Sequence, residues 1–199
     1  DMVKNGDEFF GPDMIHCYHY TMLLPVSIDD RMQYAIRFEP RVTLEYALYR
    51  GTLYIDQESL AITRAEFELD MSDKEKATQF VLKRKPSGLR FNLQGVSFLV
   101  TYRQQDGKTY LNYLRNTVRF KCDWKKRLFA STYTTSTEMV MVDREEQPEE
   151  GIKSRDSFKQ GEIFYDKVDE YWNEDFWKDY NIIEPTESLE SAVKKLKKQ

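Results

Sequence analysis

Val96-Ser97-Phe98-Leu99-Val100-Thr101-Tyr102-Arg103 leads into Gln104-Gln105-Asp106-Gly107-Lys108, and residues 110–114 lead out again. Val96, Phe98, Val100 and Tyr102 alternate with Ser97, Leu99, Thr101 and Arg103, the period of a strand with one face in a core. Asp-Gly between two such runs is a strong hairpin signal, because the tight turn needs positive φ at both central residues. This stretch makes the chain a β protein.

The same period recurs on both sides. Downstream, Val118, Phe120, Cys122 and Trp124 alternate with Thr117, Arg119, Lys121 and Asp123, a turn follows at 123–127, and 128–135 and 138–143 read as two more strands. Upstream, Leu44, Tyr46 and Leu48 alternate with Glu45, Ala47 and Tyr49, and Leu53 and Ile55 resume after Arg50-Gly51. Two alternating runs flanking a glycine predict a hairpin turning at residue 51. Residues 56–59 make the next turn, 60–69 another strand, and 15–23 and 33–39 two further candidates. About nine short strands joined by tight turns argue an antiparallel meander closing toward a sandwich or barrel.

Helices are few. Ser72-Asp73-Lys74-Glu75 has the form of a capping box ahead of Ala77, Phe80 and Val81, and Pro86 stops that helix. Residues 166–180 place Val168, Tyr171, Trp172 and Phe176 along one side. A last helix after Thr186 has acids early and lysines late, which complements its dipole. The reading is mainly β with a few helices: a curved antiparallel meander sheet or half-barrel packed on short helices, with a C-terminal helix. It divides into a body over 1–143 with a short helix near 73–84, an acidic mobile loop over 144–162, and a helical, aromatic tail over 163–199 packing on the body. All three form one domain.

Composition narrows the function classes. Of 199 residues, 40% are hydrophobic and 14% aromatic, too apolar for intrinsic disorder. No apolar run reaches the ~18 residues of a membrane-crossing helix. A net charge of -4 argues against a generally basic nucleic-acid binder. Cys17 and Cys122 give neither a disulfide framework nor paired zinc spacing; two buried free thiols are favoured over one disulfide. No G-x-S-x-G elbow or cysteine-protease signature occurs, His16 and His19 lie close together on one element, and Glu66 and Glu68 on one strand face read as a solvated row. No catalytic residue, metal site or cofactor is therefore expected, and the chain is read as a non-enzyme. Lys83-Arg84-Lys85 and Lys125-Lys126-Arg127 are short basic clusters, ordinarily solvated turns and more sharply contacts to anionic lipid or an acidic partner.

The aromatic content carries the binding hypothesis. Tyr46, Leu48, Leu53, Ile55, Phe98, Val100, Tyr102, Phe120 and Trp124 form a candidate apolar wall inside the curved sheet. A filled core and an apolar ligand cavity both fit that pattern.

Tyr49-Arg50-Gly51-Thr52-Leu53-Tyr54-Ile55-Asp56, followed by Leu60-Ala61-Ile62, resembles the Y-x-G-x-x-Y-I-D … A-I hairpin of Bacteroidetes-type envelope proteins with an N-terminal carboxypeptidase-regulatory-like domain. The resemblance continues through Val100-Thr101-Tyr102-Arg103, Tyr110-Leu111 and Ser136-Thr137-Glu138-Met139. It ends in Phe176-Trp177-Lys178-Asp179-Tyr180-Asn181-Ile182-Ile183-Glu184-Pro185, its most specific part. The hairpin is more loosely similar to the half-barrel of periplasmic lipoprotein carriers. The resemblance implies a secreted protein of the periplasm or outer membrane, exported by a signal peptide absent from this chain, and an upstream regulatory domain. It supplies no catalytic residues. The chain, which opens on Asp1, reads as a piece of a longer protein. The expected function is a non-enzymatic envelope domain binding a lipid-like or other apolar small molecule on its concave face; the alternative is a structural or protein-partner-binding module, and a hydrolase ranks last.

Overall fold

The computed structural model describes residues 3–4, 11–82, 85–125, 128–142, 144, 153–155, 157, 159 and 162. The chain divides into two compact units, 1–144 and 145–199. In the second, the Ser157 hydroxyl donates to the Ser154 carbonyl at 2.9 Å, and Glu162 N–H to the Lys159 carbonyl at 3.0 Å. The helices expected over 166–180 and after Thr186 lie outside the described residues, as does most of the 144–162 loop.

The first unit is an antiparallel sheet of eight strands that does not close. A 3-10 turn at Ile15–Cys17 leads into β1 (Tyr18–Met22), β2 (Val26–Ile28), β3 (Arg31–Pro40), β4 (Tyr49–Asp56) and β5 (Ile62–Leu69). Helix α1 (Lys74–Val81) then precedes β6 (Leu89–Gln105), β7 (Lys108–Trp124) and β8 (Ser131–Val140). The order is β1-β3-β4-β5-β6-β7-β8, with β2 also on β3. The meander of a curved, half-barrel-like sheet is thus present. Asp106 and Gly107 turn between β6 and β7 with φ of 51° and 73°, and Asp29 and Asp30 turn between β2 and β3 with φ of 50° and 59°. Both match the doubly left-handed two-residue turn that suits the twist of the strands.

Four local expectations are corrected. There is no hairpin at Gly51: β4 runs straight through it, and residues 44–48 form no strand. The turn lies instead in the 41–48 connection, and Gly51 is a point of close strand approach. Segments 110–114 and 118–124 are one strand, β7, and 128–135 and 138–143 contribute to one, β8, so eight strands stand among the described residues where alternation suggests about nine. The first strand starts at Tyr18, because 15–17 form the 3-10 turn. Finally, Ser72 does not cap α1. The Asp73 carboxylate accepts from Glu75 N at 3.0 Å and Lys76 N at 3.2 Å, while the Ser72 hydroxyl donates back to Asp70 at 2.7 Å. An ionised Asp at the positive end of the helix is at least as good a cap.

Paired residues share a sheet face, so the register assigns the two surfaces. Phe38, Gly51, Phe67 and Phe98 stand in one row, and Ile36, Leu53, Ala65 and Val100 in the next. This apolar face is packed together with Val3, Cys17, Leu48 and Ala77, from the N-terminal segment, the 3-10 turn, the 41–48 connection and α1. Phe67 and Phe98 stack at 4.9 Å, and Tyr49 meets both edge-on at 5.5 and 6.0 Å. Such pairs add about 0.5–1.5 kcal/mol each beyond the area they bury.

Candidate functional site

The nine residues of the expected apolar wall do not all meet. Leu48, Leu53, Phe98, Val100 and Tyr102 are buried in one cluster, and Phe120 packs at its margin. Ile55 is half-buried. Tyr46 lies on the 41–48 connection, 55% exposed, with its hydroxyl 3.6 Å from the Met14 sulfur. Trp124 ends β7, 36% exposed. Its inner members belong to the same buried cluster as Leu69, Leu93, Val96 and Ala77.

A groove opens on the other face. It has a volume of about 760 Å³ and is lined from β3 through β8. Arg37, Thr52, Glu66, Leu99, Arg115 and Glu138 stand opposite one another along successive strands and so project to one side. Arg50, Arg64, Glu39 and Glu68 flank that row, giving four arginines and four glutamates. Alternation produces this directly, since the residues between buried apolar positions on each strand all point the opposite way.

Several of these charges are already matched. Arg64 Nε donates to Glu66 at 2.7 Å, and its guanidinium lies 5.9 Å from the Tyr54 ring centre. Arg50 sits 3.0 Å from Glu68 and 3.3 Å from Asp70. Burial first, and then hydrogen bonding to Glu138, pushes the Tyr113 hydroxyl above its usual range. Among the described residues Arg37 and Arg115 form no ion pair, so they are the cations most open to an incoming group. Exposed pairs contribute little to stability, typically well under 1 kcal/mol, so this ladder is not required for folding.

A second polar cluster lies inside the fold. Asp56 is 1% exposed. Its carboxylate accepts from Ser59 N at 2.8 Å, Ser59 Oγ at 2.7 Å, Arg31 at 2.8 Å and Gln33 at 3.3 Å. Gln33 accepts from Thr63 at 2.8 Å, and Arg31 reaches Gln104 at 2.6 Å. Backbone donation from Ser59, more than the Arg31 charge, holds the Asp56 carboxyl below the usual range. A carboxylate so fully occupied ties β3, β4, β5 and β6 together.

Glu66 and Glu68 each face an arginine partner. Cys17 and Cys122 are both free thiols; one precedes β1 and the other lies in β7, with β3 to β6 between those strands. Among the described residues no group of His, Cys, Asp and Glu is placed to hold a metal ion, and no helix is long and apolar enough to cross a membrane. The polar groove was hidden in the sequence because its residues come from six strands. The available signal was the recurrence of Arg and Glu at alternate positions of each strand.

The chain matches no family model, no curated protein and no solved structure.

Proposed function

We propose that this chain is a non-enzymatic, partner-binding module of a cell-envelope protein, docking a polypeptide segment of mixed charge along the polar face of its sheet. The observation that carries this is the Arg- and Glu-lined groove of about 760 Å³, set against an apolar face already occupied by side chains. A partner with both signs of charge finds complementary groups there, and wrong partners meet like charge. Ion pairs across a surface groove favour specificity and encounter rate, as an exchangeable contact requires. The envelope setting rests on the resemblance of the β4–β5 segment. A lipid-like ligand has less support, because Phe98, Val100 and Tyr102 are buried in one cluster with Leu93, Val96 and Leu53.

Photo-crosslinking from Leu99, at the groove centre, tests this reading together with the charge reversal R37E/R115E. The expected result is a discrete protein adduct that high salt and the charge reversal both abolish. Native mass spectrometry of protein purified from its own envelope supplies the opposing outcome: a stoichiometric lipid, with no salt-sensitive adduct, would overturn the proposal in favour of a carrier.

A further inference from the structure

The β6–β7 hairpin runs well past the strand beside it. β5 pairs with β6 only from Arg64 opposite Thr101 to Glu68 opposite Ser97. β6 continues back to Leu89, with β7 alongside as far as Trp124 and β8 as far as Ser131. Residues 89–96 thus make an arm of about 26 Å at the usual strand rise. Phe91, Phe120 and Tyr133 stack in series across β6, β7 and β8, with ring centres 5.1 and 5.6 Å apart.

Two connections meet where the arm ends. Leu89 stands opposite Trp124, and Lys125 N–H donates to the Gly88 carbonyl at 3.1 Å. The α1–β6 connection, carrying Lys85, therefore lies against the β7–β8 connection, carrying Lys125. Both lysines are exposed, and so is Arg90. Lys85 and Lys125, forty residues apart in sequence, thus belong to adjoining connections. Asp123 is close by, 3.8 Å from the Arg90 guanidinium. The same end carries Leu128, 95% exposed, and Phe129, 84% exposed.

Single apolar residues on a surface need no explanation, but an adjacent pair held out into water beside basic side chains does. An acidic protein partner would have to supply a matching apolar pocket for Leu128 and Phe129 as well as charge for the lysines. A protruding apolar pair needs no complementary pocket if its partner is a fluid interface. Apolar side chains then enter the acyl boundary while Lys and Arg heads stay with lipid phosphates, and a Trp at that depth suits the interface. The charge sign agrees: a chain of net charge -4 approaches an anionic surface favourably only through a locally basic end.

We propose that the end of this arm is a docking surface for an anionic phospholipid membrane, with Leu128 and Phe129 entering the lipid and Lys85 and Lys125 contacting headgroup phosphates. This surface is separate from the groove on the polar face of the sheet and does not depend on its occupant.

Co-flotation of the full chain with vesicles of phosphatidylcholine alone, or of phosphatidylcholine with phosphatidylglycerol, tests it. Binding is expected only to the anionic vesicles, and is lost at about 0.5 M salt, where the Debye length is only a few ångströms. K85E/K125E and, separately, L128S/F129S should each weaken binding roughly tenfold or more, since both contributions are needed for stable attachment. All these side chains are exposed, so circular dichroism and Tm should match the parent. R37E/R115E should bind vesicles like the parent, separating this surface from the groove. The proposal is overturned if anionic vesicles are not bound, if L128S/F129S binds as tightly as the parent, or if polyglutamate binds the lysines while vesicles do not.

Discussion

Gly51 faces Phe67 across β4 and β5 so closely that a Cβ at residue 51 would lie 2.6 Å from the Phe67 Cα. The atoms in the way are backbone as well as ring-bearing side chain, and Phe67 is pinned between Tyr49 and Phe98. Relief would require the strands to separate in the middle of the core. Gly51→Ala should therefore destabilise the fold by about 1–3 kcal/mol, the usual range for overpacking. Urea unfolding should show a lower midpoint at unchanged m-value; an unchanged midpoint would mean that the strands separate without loss.

Asp56 makes acid a specific stress. Its folded carboxyl titrates below the ordinary value of 3.8, first because of the Ser59 backbone donor. A lowered folded pKa means the unfolded chain binds the proton first. The stabilisation is then complete above the unfolded value and disappears as pH falls through the folded one. Asp56→Asn should be less stable than the parent at neutral pH, with the two Tm curves converging in the acid range. Curves that stay parallel throughout would remove Asp56 from the acid response.

How much of this was legible in sequence differs by element. The β6–β7 turn was, because Asp106-Gly107 is a local instruction that needs no partner. The faces of β6 and β7 were also readable, since alternation survives whatever strand lies beside them. Gly51 misled because glycine marks both turns and close approaches, and only the position of Phe67 across the sheet separates the two. Ser72 misled because Asp73, one residue later, is an equally competent cap. The groove was the least legible feature. Arg37, Arg115 and Glu138 are ordinary surface residues on their own strands, and only register brings them to one side.

Tyr102 separates a core from a ligand wall. It is buried in the main cluster, with the Lys4 ammonium 4.3 Å from its ring centre, and burial pushes its phenol well above the usual range. Tyr102→Ala should cost about 3–5 kcal/mol, as other large aromatic truncations in cores do. Uptake of fluorescent fatty-acid probes should be no different from the parent at temperatures where both are folded. A stable variant with weakened probe binding would instead place Tyr102 in a ligand site.

The two thiols should behave differently, although neither is bonded. Cys17 is buried, its sulfur 3.8 Å from the Asp13 carbonyl. Cys122 is half-buried on β7, and burial pushes its thiol above the ordinary value of 9.0. The thiolate is the reactive form, so at neutral pH Cys122 should modify slowly despite its partial exposure. Cys17 should react only as fast as the Ile15–Cys17 turn opens. Native labelling with a thiol reagent followed by peptide mapping should find Cys122 modified first, and denaturant should release both thiols without reductant. A reductant should leave Tm unchanged, because no cross-link constrains the unfolded chain. If Cys17 were modified first, its shielding would have to be weaker than its burial implies, and the 3-10 turn would be the first part of the sheet's cover to open.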